Sequence, residues 1–108
     1  MEVIKHAAVK SEDGWIFIGK HHADCFHKGF NLNVKMSKKA EDQGFVTSLG
    51  RFVGRHEAYK IAMANSQIEK RGVKVHPILF SEDLWCPTYE GKYDYDEVKG
   101  YVPRKEPL

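Results

Sequence analysis

Between Gly44 and Ala64 the spacing of apolar residues changes period once, and this change limits the fold more than any other feature of the chain. Phe45 and Val46 favour extended backbone, and Leu49-Gly50 suits a turn, because glycine reaches positive φ without steric cost. Arg51-Phe52-Val53 resumes an extended pattern, with Phe52 on the face opposite its neighbours. From His56 the period becomes helical. Ala58, Ile61, Ala62 and Ile68 share one side, while Glu57, Lys60 and Gln67 fall largely elsewhere. Gly54 stands at the N-cap position and Arg55 in the first turn. The pattern predicts a strand, a turn, a second strand and then a helix over about residues 55–70. Such a unit delivers Arg51 and Arg55 to a strand–helix junction. The plain alternative is two solvated charges at the edge of a small domain.

The flanking segments supply more strands. Val3-Ile-Lys-His-Ala-Ala-Val9 reads as a first strand, Ser11-Glu-Asp-Gly14 as a type I turn ending in glycine, and Trp15-Ile-Phe-Ile18 as the returning strand. The last is uninterruptedly apolar, which predicts cover on both faces, by the core and by a helix or second subunit. In the stretch from Lys28 to Asp42, Phe30, Leu32, Val34 and Met36 alternate like a short strand. Lys70-Arg-Gly72 reads as a helix stop. Val73 to His76 should be extended before Pro77, and Ile78-Leu79-Phe80 is a buried strand candidate. Ser81-Glu-Asp-Leu84 suits a short helical turn that fixes Leu84 and Trp85 on the core. Glu82 and Asp83 there are better read as dipole partners than as catalytic acids.

With 108 residues, the chain makes one domain with a modest core. Its 42% hydrophobic and 30% charged residues exclude both a disordered chain and a membrane protein. Seventeen basic residues against 15 acidic give a net charge of +2, too balanced for a protein that grips duplex DNA by its phosphates. The N-terminal residues lack a signal-peptide pattern, so a cytoplasmic site is expected, where Cys25 and Cys86 stay free thiols. The expected fold is α+β. A small antiparallel sheet of about five strands is packed by the 55–70 helix, with room for a short second helix. Residues 1–85 are expected to form the domain. Residues 86–108, rich in tyrosine and charge, form an extension that adds an edge strand near 93–98, packs on a partner or stays mobile.

Chemistry-bearing residues concentrate in Lys20-His-His-Ala-Asp-Cys-Phe-His27. Zinc accepts His, Cys and carboxylate ligands, but this spacing matches no zinc signature and no second ligand pair exists at a fixed separation. A nucleophile built from Cys25 and a histidine needs a lowered thiol pKa, for which the sequence gives no sign. The remaining readings are a buried Cys25 and Phe26 with packing histidines, and a set of donors from Lys20, His21 and His22 for an anion. A mixture of these two fits best, so no metal and no cofactor are expected.

Three blocks carry a resemblance: Gly19-Lys-His-His-Ala-Asp-Cys25, Gln43-Gly-Phe-Val-Thr-Ser-Leu-Gly-Arg-Phe-Val-Gly-Arg-His-Glu-Ala58 with Ile61-Ala62, and Leu79-Phe-Ser-Glu-Asp-Leu-Trp85. Together they resemble a widespread group of short phage and prophage proteins over about residues 3–85. Where an acidic residue commonly precedes the second arginine, this chain has Gly54, which weakens the helix cap. In size, strand and helix content, and arginine- and aromatic-bearing blocks, the chain is also similar to the Thoeris anti-defence proteins. These sequester cyclic ADP-ribose isomers, and some hold cyclic oligonucleotides in assemblies of dimers. The resemblance implies a nucleotide-signal sponge in the host cytoplasm that works as a homodimer or larger homo-oligomer and cleaves nothing. Arg51 and Arg55 would grip the pyrophosphate, Phe45 or Phe52 would stack on the base, and Lys20, His21 and His22 would add donors. Two other classes stay open: an inhibitor or adaptor that binds a host protein through the aromatic tail, and a small hydrolase using His21, His22, Asp24 and Cys25.

Overall fold

The computed structural model describes residues 1–68, 77–84 and 93–103. Strand β1 (Ile4–Lys10) is an interior strand of the main sheet, and the turn after it closes as the glycine at its end suggests. Gly14 adopts φ +90° and its amide donates to the Ser11 carbonyl at 3.0 Å. The chain returns as β2 (Ile16–Gly19), then enters α1 (His22–Asn31). A single 3-10 turn (Ala40–Asp42) leads into β3 (Gln43–Thr47), and Gly50 at φ +77° turns the backbone into β4 (Phe52–Gly54). Helix α2 (Arg55–Ala64) follows without a linker, and α3 (Ser81–Leu84), β5 (Tyr93–Asp96) and β6 (Gly100–Pro103) complete the described elements.

The main sheet has the order β2-β1-β3-β4, all antiparallel, and β5-β6 is a separate hairpin. This is the α+β class expected, with four strands in one sheet and two in the other. Register places Gly19, Ala7, Phe45 and Val53 in one row across the sheet. On that face they join Cys25 of α1 and Ala58 and Ala62 of α2 in a single buried cluster. Small residues at Ala7, Ala58 and Ala62 let helix and sheet approach closely, while Phe45 fills the centre. On the other face Gly44 meets Ala8 and Gly54, and the Phe52 ring folds over Gly44. The Lys10 ammonium lies 4.4 Å from the centre of that ring, a cation–π contact on the outer surface.

Several expectations change. The alternation of Phe30, Leu32, Val34 and Met36 is not a strand: Phe30 belongs to α1, and Asn33 at φ +57° stops the chain behind it. Only Met36 pairs, through one isolated bridge to Ser11. The helix was hidden because its buried stripe is made of Cys25 and Gly29 with half-buried His22 and Phe26, in which only Phe26 is a large apolar side chain. Met36 packs over Gly29, where a Cβ would meet its sulfur. Helix α2 starts where the period changes but ends at Ala64, well before Lys70. Asn65 caps it by donating to the Ile61 carbonyl at 2.8 Å and to the Glu2 carbonyl at 2.6 Å. Ser66 then takes φ +56°, and Gln67 leaves the helix to bond with β1. β2 is an edge strand of the described sheet, with Ile16 45% exposed and Trp15 just before it 69% exposed, so among the described residues it lacks cover on both faces. Residues 78–80 are irregular rather than a strand, although Leu79 is buried. The readings for 70–76 and for Trp85 lie outside the described residues.

The C-terminal hairpin docks at the end of β2. There Gly19 pairs with Ala7, so the first residues of β1 lack β2 as a neighbour. Gly100, at φ +82°, brings its backbone so close to the Lys5 carbonyl that a Cβ would collide with it. Tyr101 enters the core, its ring stands edge-on to Tyr95 at 5.4 Å, and the Tyr95 hydroxyl meets His6 Nδ1 at 2.7 Å. None of the described helices is long and apolar enough to cross a membrane.

Candidate functional site

The register of β3 with β4 places Gly44 opposite Gly54, so α2 leaves the sheet directly beside Gly44. Helix α1 begins on the same spot, because His22 Nε2 lies 2.8 Å from the Gly44 carbonyl. A carbonyl only accepts, which assigns the ring proton to Nε2 and leaves Nδ1 as an acceptor in the neutral ring. Arg55 Nη2 lies 3.4 Å from that Nδ1 and 3.4 Å from Gln43 Oε1. Its Nη1 donates to the Leu79 carbonyl at 3.0 Å, and the Leu79 amide returns a bond to the Arg55 carbonyl at 3.0 Å. The Phe80 ring centre is 5.3 Å from the guanidinium carbon. Residues from three separated stretches of sequence therefore meet at one guanidinium.

Two features make this junction suited to anions. Both helices are ten residues long, and neither N-cap residue, His21 or Gly54, caps its helix with a side chain. Each first turn carries backbone amides at the positive end of a helix dipole, and the two starts meet where Arg55 faces His22. Two acids temper that charge. Asp24 in the first turn of α1 lies 3.6 Å from His21, and Glu57 in the first turn of α2 is bound to Arg51 at 2.6 Å. The arrangement can hold and orient an anionic group by donated hydrogen bonds.

Of the residues expected at a site, the fold brings Arg55 and His22 together, with Lys20 and His21 half-buried just before α1. Arg51 is elsewhere. It lies across the 47–51 turn, at the opposite end of β4, where its Nε and Nη2 hold the two oxygens of Glu2 at 2.8 and 3.0 Å. Arg51 and the Thr47 hydroxyl hold the Glu2 carboxyl down at about 2, and the two acids in turn raise Arg51. Phe52 sits on the outer face over Gly44. Phe45 needs correction as a stacking residue: it is fully buried and packs edge-on under the His22 ring at 5.1 Å, supporting the site from below. Cys25 is also a core residue. Its thiol lies against the Ala7 carbonyl at 3.5 Å, and burial pushes its pKa up to about 12, the reverse of an activated nucleophile. Among the described residues no three His, Cys, Asp or Glu side chains cluster as metal ligands. Sequence reasoning did not single out Gln43, Leu79 or Phe80, and it had no means to: an amide, a main-chain carbonyl and a ring carry no spacing signal.

The family described as Phage T4 y16D protein matches residues 3–85. The chain belongs to this family. The y16D region contains every residue of the Arg55 junction, from Lys20 to Phe80, whereas β5 and β6 lie beyond it. No curated protein and no solved structure matches the chain.

Proposed function

We propose that this phage protein binds an anionic nucleotide signal, a cyclic ADP-ribose isomer or a cyclic oligonucleotide, and sequesters it in the host cytoplasm without cleaving it. The observation that carries this reading is the meeting of two uncapped helix starts around Arg55 and His22. A pyrophosphate presents the charge and oxygen geometry that a guanidinium fork and helix amides recognise, and Phe80 offers a ring beside them. Arg55, which faces His22 at the meeting of the two helix starts, is the primary anion contact in this proposal, and Arg51 stands at the opposite end of β4 with Glu2 and Glu57. The buried Cys25 thiol favours holding over hydrolysis. Self-association belongs to the same proposal, with exposed Ile16 of edge strand β2 and Trp15 just before it as the surface.

The test is native mass spectrometry of protein made in cells that synthesise cyclic ADP-ribose isomers, followed by heat release. An intact nucleotide lost from a dimer or larger assembly, and not from Arg55→Ala, supports sequestration. A hydrolysed product, or ligand-free protein, refutes it.

One observation favours a second reading, capture of a host protein. Trp15, Phe30 and Leu32 are 69%, 79% and 67% exposed, large apolar side chains within reach of a partner. Tyr101 and Tyr95 are not part of that contact surface, since Tyr101 is buried and Tyr95 is bonded to His6. Trp15→Ser should abolish partner capture, and capture that survives this change refutes the reading.

A further inference from the structure

A helix start without a side-chain cap must be located by contacts from outside the helix, and β3 and β6 each supply one to α1. From the sheet, Gly44 accepts the His22 Nε2 proton at 2.8 Å. From the other side, the Tyr101 hydroxyl of β6 donates to the Lys20 carbonyl, on the residue preceding the N-cap His21. The two bonds bracket the turn that carries Lys20, His21 and His22. Tyr101 is a firm anchor for this purpose, because its ring is fully buried and is braced by Tyr95, itself held by His6 on β1. A further tie runs from Lys28 of α1, whose ammonium bonds to the Ile18 carbonyl at 2.7 Å and to Glu97 of the hairpin turn at 3.4 Å. The family match stops at residue 85, so the hairpin lies beyond the matched region and reaches back to the start of α1.

We propose that the β5–β6 hairpin is a positioning strap for the Arg55 junction: through the Tyr101 hydroxyl it fixes the backbone of Lys20 and with it the direction of the α1 start. Tyr101 and Tyr95 are positioning residues that touch no ligand. The consequence for ligand affinity rests on the nucleotide reading above, but the structural consequence does not.

Tyr101→Phe tests it, since the ring stays in the core and only the hydroxyl is lost. Amide hydrogen exchange is followed by NMR in the wild type, Tyr101→Phe and Tyr95→Phe, with global stability measured alongside by urea. The expected result is exchange of the amides at 24–26, where the hydrogen bonds of α1 begin, faster by roughly five- to tenfold in Tyr101→Phe, the loss of one hydrogen bond to a half-buried carbonyl. Tyr95→Phe, which lowers stability without freeing Lys20, should leave these amides within about twofold of the wild type. Unchanged exchange in Tyr101→Phe, or an equal rise in Tyr95→Phe, overturns the strap. Inorganic pyrophosphate is then titrated into the same samples. Wild-type protein in which no α1 or α2 amide moves overturns the ligand reading, while the exchange result decides the strap by itself. Where wild type does bind, affinity reduced roughly fivefold or more in Tyr101→Phe supports the strap, and equal affinity overturns its role in binding.

Discussion

Gln67 offers the sharpest test of how this fold is held. Its side-chain amide faces the backbone of Ile4, accepting from the Ile4 amide at 2.7 Å and donating to the Ile4 carbonyl at 3.0 Å. The pair sits where the register of β1 against β3 shifts, so a side chain takes the place of a neighbouring strand. Ile4 is fully buried and Gln67 is 5% exposed, which leaves water little access to these groups. Gln67→Ala therefore strands one buried N–H and one buried carbonyl. At about 1–3 kcal/mol for each unsatisfied group, less some relief from a water entering the space, the loss should be about 2–4 kcal/mol. For a domain of this size that corresponds to a fall in Tm of roughly 10–15 °C. Urea and thermal unfolding followed by circular dichroism measure it. Gln67→Glu adds a directional check. The carboxylate keeps an acceptor for the Ile4 amide but sets a negative charge against the Ile4 carbonyl; once protonated, it can accept and donate as glutamine does. Relative to wild type, this variant should lose least in acid and most at neutral pH. A loss below about 0.5 kcal/mol in Gln67→Ala, or a Gln67→Glu penalty independent of pH, would refute the argument that Ile4 depends on this amide.

Three further outcomes follow from the same structure. His6 is held below its ordinary pKa of 6.5 chiefly by burial, with Lys28 and Lys5 adding to it, so the unfolded chain takes a proton that the folded chain resists. Stability should accordingly fall as pH drops below about 6.5, and again from about 4.5 toward 2 as Glu2 loses Arg51; urea midpoints flat from pH 7 to 5.5 would contradict the first step. In a Cys86→Ser background, Cys25 should react with a thiol reagent only as fast as the chain opens, and rapid labelling in native buffer would show that burial does not protect it. Gly44→Ala should cost about 2 kcal/mol or more, because the added Cβ strikes the Val53 carbonyl and the Phe52 ring; a neutral result in thermal unfolding would mean that β4 shifts freely.

The parts of this protein that were legible in the sequence are those set by short-range rules. The α+β class, the glycines at 14 and 50 that need positive φ, and the start of α2 just after Gly54 all follow from periodicity and backbone sterics within a few residues. Arg55 at a strand–helix junction follows as well, because the change of period places it there. What only the tertiary structure decided involves partners distant in sequence. His22 meets Arg55 across 33 positions, Gln67 meets Ile4 across 63, and Tyr101 meets the Lys20 carbonyl across 81. Helix α1 went unread because glycine, cysteine and histidine form its buried stripe, and α2 ends early because Gln67 gains more from β1 than from another helical turn. Arg51 and Arg55 looked equivalent in the sequence. Folding sends Arg51 to Glu2, which comes within reach only when β1 and β3 pair, and sends Arg55 to His22 and the Leu79 carbonyl. A side chain's type states which bonds it can make, but its choice among them depends on which distant groups folding brings beside it.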